Sequence, residues 1–152
     1  MKILFKNDQT EQGFSKLHPI LIDLLNAINL WAIQYDKKPI VITDTLSNPE
    51  LDKKLGRVSP SHSEGRAADI RTVDMSKDKL VALMQNFTEK FLHLGYKTQK
   101  GERRLMYYHN NGNGPHIHIA IGYDTIEKYK HLYPNWTYPI HTKPSKKNNK
   151  ES

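Results

Sequence analysis

His62 and Asp69 stand seven residues apart, with Gly65 and Ala67 between them, and His116 and His118 follow farther along the chain. These residue types suit a metal. A catalytic zinc takes three protein ligands and leaves a fourth position for water or substrate. The sequence has no cysteine, so the ligands must come from His, Asp or Glu. The same absence removes disulfides, thiol catalysis and cysteine-ligated zinc or iron–sulfur sites. His62, Asp69 and His118 offer two imidazoles and one carboxylate. That set leaves net positive charge on a divalent ion, which polarises a carbonyl and acidifies water. The expected cofactor is zinc, one ion per chain, although His and Asp accept other divalent ions too.

The residues between and around these ligands add detail. Gly65 permits a tight turn between the first two, and Ala67 keeps the chain small beside them. His116 and His118 are two apart in an alternating run, so both face the same side of a strand. One can bind metal while the other faces water and substrate. His116 is then a natural general base, or a stabiliser of developing negative charge. Arg66 and Arg71 flank Asp69 and could hold a substrate carboxylate. Alternation puts Arg71 on the Asp69 side, which favours it. Glu64 reads as a solvated turn residue rather than a base.

Which elements would position this set? Leu17, Ile20, Leu21, Leu24, Leu25, Ile28, Trp31, Ala32 and Tyr35 recur at three- and four-residue steps and predict a helix over 18–35. Ile40 to Thr43 is β-branched and predicts a buried strand. The polar stretch 47–63, with Pro49, Gly56 and Pro60, reads as loop. Ala67 to Thr72 reads as a strand. Ser76 is a good N-cap for a second helix, with Leu80, Leu83, Met84, Phe87 and Phe91 on one face and Gly95 to end it. Strands are expected over 104–108 and 116–121, separated by a turn at Asn111-Gly112-Asn113-Gly114. A short helix is expected over 125–131. Neighbouring strands can pair as hairpins, so the fold class is α+β, a small antiparallel sheet flanked by helices.

The pattern His62-x-x-Gly65-x-Ala67-x-Asp69 followed by His116-x-His118 resembles the zinc peptidases of the D-alanyl-D-alanine carboxypeptidase and L-alanyl-D-glutamate endopeptidase group, which belong with the lysostaphin and hedgehog-type folds. The resemblance runs from about Pro19 to Ile121. It implies that His62, Asp69 and His118 are the zinc ligands and that the substrate is a peptide of the bacterial cell wall. Several short members are phage endolysins. Three positions depart from the pattern. Pro60 stands where members commonly have Ser. Thr43-Asp44-Thr45-Leu46 stands where many carry a substrate-holding arginine. Pro115 stands where carboxypeptidase-type members place a carboxylate base. Lysostaphin-like branches use the first histidine of His-x-His instead, which fits His116. His109 is a second candidate near the site and, with Arg71, a candidate substrate-binding residue.

Composition agrees with a single domain. The chain has 152 residues, 37% hydrophobic and 26% charged, with a net charge of +7. The expected division is a peptidase-like domain over 1–142 and a basic disordered tail over 143–152. The tail holds four of the lysines and one glutamate. The positive charge draws the chain toward polyanions, but no base-stacking or recognition-helix motif accompanies it, so specific nucleic-acid binding is not expected. No apolar run approaches a membrane span, so no membrane insertion is expected. The apolar part of Met1-Lys2-Ile3-Leu4-Phe5 is too short for a secretory signal. The expectation is cytoplasmic synthesis without a signal peptide, action at the cell wall after release by a holin, and a monomer. The partner is a peptidoglycan stem peptide. The leading function is a zinc-dependent peptidoglycan peptidase. The alternative is an inactive zinc-containing wall-binding or virion structural module.

Overall fold

The structure, a computed structural model, describes residues 1–110 and 114–139 and the backbone of 150–151. The elements in chain order are β1 (Leu4–Phe5), α1 (Asp8–Phe14), α2 (Pro19–Asp36), β2 (Val41–Asp44), α3 (Pro49–Lys54), β3 (Ala67–Arg71) and α4 (Lys77–Phe91). Then come β4 (Tyr96–Thr98), β5 (Arg103–Arg104), β6 (Met106–His109), β7 (His116–Ala120), α5 (Tyr123–Lys128) and β8 (Lys150–Glu151). Short 3₁₀ turns at Leu92–Leu94 and Lys130–Leu132 extend α4 and α5.

The main sheet has the order β1-β2-β3-β7-β6. It is antiparallel except for the edge pair β1–β2. The expected α+β class and antiparallel sheet are therefore borne out, with one parallel edge. β4 pairs with β5 and β8 in a second, smaller sheet. The stretch read as one strand over 104–108 is split between the two sheets at Leu105. Of the expected tail, only the backbone of Lys150–Glu151 falls among the described residues. Of the expected Asn-Gly-Asn-Gly turn, only Gly114 does.

One face of the main sheet is apolar. Ile42, Ala68, Ile70, Ile117 and Ile119 are fully buried there, against Leu21, Leu25 and Ile28 of α2 and Leu83 of α4. Each such aliphatic side chain contributes about 1.5–3 kcal/mol by leaving water. α2 starts where the sequence places it. His18 accepts a hydrogen bond from the Ile20 N–H at 3.1 Å, Pro19 occupies the first turn, and Lys37 ends the helix in the left-handed region at φ 65°. Ser76 caps α4 as expected, accepting from the Lys79 N–H at 3.1 Å. Gly95 differs from its expected role. Its backbone is extended, not left-handed, and a Cβ there would meet the Arg104 carbonyl oxygen at 2.2 Å. Close approach of two backbones requires this glycine, not a helix cap.

Two helices escape the hydrophobic periodicity. In α1, Asn7 accepts from the Thr10 N–H at 2.8 Å. In α3, inside the stretch read as loop, Asn48 accepts from the Leu51 N–H at 2.8 Å, Pro49 leads the helix, and Lys53 and Lys54 end it. Each starts on an Asn cap but spans too few residues for an apolar stripe to register.

Candidate metal centre

The other face of the main sheet carries the chemistry. In the β3–β7 register, Asp69 lies opposite His118 and Arg71 opposite His116. In the β6–β7 register, Tyr107 lies opposite His118 and His109 opposite His116. Opposed residues share a face, so strand pairing alone assembles Asp69, His116, His118 and His109. Asp44 joins them through an irregularity in the β2–β3 register, which sets it opposite Asp69.

His62 arrives from the loop before β3. The Ser61–Gly65 turn is closed by bonds from the Glu64 N–H to the Pro60 carbonyl at 2.9 Å and from the Gly65 N–H to the His62 carbonyl at 3.1 Å. Gly65 has φ +73°, so the expected tight turn is present and uses the left-handed region. The turn is pinned from behind. The His18 N–H donates to the Gly65 carbonyl at 2.8 Å, and the Trp136 indole lies against His18 with ring centroids 4.6 Å apart. Tyr133, Trp136 and Tyr138 pack against the core here rather than lining the site. Burial pushes His18 down to about 4, so its Nδ1 remains the acceptor that starts α2.

The ligand atoms converge. His62 Nε2 and His118 Nδ1 lie 3.2 and 3.0 Å from the same oxygen, Asp69 Oδ1. All three residues are buried, and their ligand atoms lie within 4.8 Å of one another. Donors about 2.0 Å from a tetrahedral zinc stand roughly 3.3 Å apart, so the set fits that ion. The surroundings fit as well. His62 Nδ1 donates to the Thr45 carbonyl at 2.8 Å, which fixes the ring and leaves Nε2 for the metal. Charges inside the trio are coupled. Burial pulls His62 down, but Asp69 outweighs it and raises the imidazole above its usual range. Burial pushes Asp69 up, but His62 and His118 pull harder and hold it well below the usual carboxylate range.

His116 lies just outside the trio. Its Nδ1 donates to the Gly114 carbonyl at 3.0 Å, and its Nε2 stands 3.7 Å from Asp69 Oδ2. His109 packs against it, ring centroids 3.9 Å apart. Both line a cavity of about 630 Å³ whose floor is the trio. Arg71 does not line that cavity; it lines a smaller one beyond His116.

Two expectations near the ligands are corrected. Glu64 is not solvated; it is fully buried and pairs with the buried Arg66 at 2.9 Å. Arg66 also donates to the Ile121 carbonyl at 3.0 Å, so it ties the turn to β7 and does not meet substrate.

Asp44 was missed, and so was the residue that pairs with it. Arg57 follows α3 and lines the main cavity. It forms an ion pair with Asp44, bonds Asp52 at 3.1 Å, and approaches Asp69 Oδ2 at 3.9 Å. It offsets the repulsion between Asp44 and Asp69, which strand pairing forces together. The signal that could have found it was the capping pattern of α3, which swings Arg57 back over the sheet.

β3, β7 and the loop before β3 together present a buried His-Asp-His trio beneath an open cavity, a set able to hold a metal ion. A family model described as peptidase M15 matches residues 1–103, about two thirds of the chain, and the protein belongs to the peptidase M15 family. The match contains His62 and Asp69 and stops before His118, which the sheet register supplies. No curated protein and no solved structure matches the chain. The resemblance drawn from His62-x-x-Gly65-x-Ala67-x-Asp69 therefore holds at the level of the family.

Proposed function

We propose that the protein is a zinc-dependent peptidase that hydrolyses peptide bonds in the stem peptides of bacterial peptidoglycan, acting in the manner of an endolysin. The observation that carries this reading is the convergence of His62, Asp69 and His118 beneath a cavity that His116 and His109 also line. Family membership supports the choice of peptide as substrate class.

His62 Nε2, Asp69 Oδ1 and His118 Nδ1 would hold the ion. When bound, zinc supplies Lewis acidity toward a peptide carbonyl and toward water. The protein supplies the rest. His116 has its Nδ1 committed to the Gly114 carbonyl, which directs Nε2 toward Asp69 and the cavity. Nε2 takes the proton from the attacking water and returns it to the departing amine. His109 packs on the His116 ring and holds its orientation. Arg57 keeps the second oxygen of Asp69 turned away from the ligand position. Synthesis in the cytoplasm and release by a holin would bring such an enzyme to its wall.

Pro115, at the place of the carboxylate base, favours a second reading, a zinc-containing wall-binding module without turnover. The deciding experiment incubates zinc-loaded protein with purified peptidoglycan and reads soluble fragments by mass spectrometry, with a chelated control. New peptide termini that vanish on chelation are expected. His116→Ala should lower turnover by about 10²–10⁴-fold while zinc is retained. Intact wall across several peptidoglycan types, with wall binding unchanged by His116→Ala, would establish the second reading instead.

A further inference from the structure

Residues 133–139 follow the last 3₁₀ turn and lie in no strand or helix. They also lie beyond the residues that the family model matches. Three aromatic side chains nevertheless seat them on the back of the metal turn. We propose that this segment is a positioning strap, with Trp136 as its anchor, and that strap docking and metal binding by His62, Asp69 and His118 strengthen each other. The proposal rests on the metal reading of the trio and names a residue outside the trio that sets its affinity.

Trp136 touches both parts of its seat. Its indole N–H donates to the Lys16 carbonyl at 3.3 Å, and its ring meets the His18 imidazole with centroids 4.6 Å apart. On the other side, a Cβ at Gly65 would meet Trp136 Cζ2 at 3.5 Å and Pro139 Cδ at 3.6 Å. Tyr133 closes on His18 at 5.2 Å between centroids, and Tyr138 on Trp136 at 5.0 Å. These contacts converge on one backbone group, the Gly65 carbonyl, which the His18 N–H holds at 2.8 Å. The Gly65 N–H bonds back to the His62 carbonyl at 3.1 Å. The strap thus reaches the backbone of a metal ligand without reaching the metal.

Two features make this a coupling and not only a support. The first is the unequal footing of the ligands. Asp69 and His118 face each other on paired strands, whereas His62 stands on a turn. Its position depends on the turn, and a site loses affinity in proportion to the time its ligands are out of place. The second is that the strap is lightly held. Tyr133, Trp136 and Tyr138 are only half-buried, and the segment adds no strand to either sheet. Tyr138 Oη and Glu64 Oε2 are buried with no hydrogen-bond partner among the described residues, which costs free energy while the strap is docked. A weakly docked element is shifted by a ligand that fits one of its arrangements better, and the coupling is reciprocal. Metal that fixes His62 fixes the turn on which the strap sits, and the docked strap holds His62 ready for metal.

The test uses the full chain and zinc alone. Calorimetry gives the zinc affinity of the parent, Trp136→Ala, Trp136→Phe and Leu83→Ala. Trp136→Ala should weaken zinc on the order of tenfold. Trp136→Phe keeps a ring for His18 and loses the bond to Lys16, so it should recover part of that loss. Leu83→Ala opens a cavity under the apolar face of the sheet, so it should lower stability and keep the parent affinity. A second measurement leaves the strap intact. The chain has two tryptophans, so Trp31→Phe leaves Trp136 as the sole emitter. Its quenching by acrylamide should fall as zinc is added and level off when the trio is filled. This reading decides the matter even where Trp136→Ala fails to fold. Parent affinity in folded Trp136→Ala, or Trp136 quenching that ignores bound zinc, would overturn the strap and leave the metal reading standing. No zinc uptake by the parent would overturn both.

Discussion

Ala68 and Ile70 point from β3 into the helices and are fully buried, while Asp69 and Arg71 point from the same strand into the cavities. The two faces do opposite work. The apolar face gains free energy in proportion to the area it removes from water and tolerates little change of volume. The polar face, with the loops over it, gathers two carboxylates (Asp44 and Asp69), four histidines (His62, His109, His116 and His118) and Arg57 around one cavity. It is held in place by what the apolar face stabilises. Within the sheet, side-chain alternation separates support from chemistry.

The sharpest way to break that division is a pair of neighbouring substitutions. Ile70→Ala should cost about 2–5 kcal/mol in urea unfolding, by lost transfer energy and a cavity, and leave the zinc affinity of the folded protein unchanged. Asp69→Asn should remove zinc binding in calorimetry, with a loss of stability in the metal-free protein that comes from its broken pairs with His62 and His118. If Ile70→Ala weakened zinc binding as strongly as Asp69→Asn, the two faces would not be independent.

A smaller effect comes from the metal itself. Free zinc at 100 times its Kd should add about 2.7 kcal/mol of stability. For a chain of this length that is a rise of roughly 5–10 °C in Tm, reversed by chelation. Asp69→Asn should show no such rise.

The smallest effect concerns His18, which stands behind the metal turn. Its pKa falls from 6.5 to about 4 on folding, because burial disfavours the imidazolium. The unfolded chain therefore takes up a proton that the folded one refuses. Stability is fully present above pH 6.5 and is lost as pH falls toward 4. His18→Asn keeps an N-cap acceptor and removes this titration. The unfolding free energy of the variant should fall less between pH 7 and 5 than that of the parent.

The parts of the molecule that were legible in the sequence are those with long or strict periods. α2 and α4 repeat their apolar residues over four or more turns, and β7 alternates without a break. The trio His62, Asp69 and His118 was legible as a cluster because its spacing is itself the signal. Arg57 was not, because it depends on a six-residue helix whose evidence is capping and not periodicity. Nor was the burial of Glu64. A charged residue in a polar turn reads as solvated until its partner Arg66, two positions on, is seen to be buried with it. Asp44 was hidden for another reason: its face is set by a register irregularity that no residue type announces.

The clasp behind the metal turn has a consequence for the order of synthesis. The Trp136 indole N–H reaches the Lys16 carbonyl at 3.3 Å, across 120 positions of chain, and its ring closes on His18, which holds Gly65. On the ribosome, His62 and Asp69 emerge well before His118, and all three before the residue that locks the turn from behind. The growing chain can gather its ligands before it can hold them still, so the centre should acquire its final rigidity only late, after the sheet that carries it has formed.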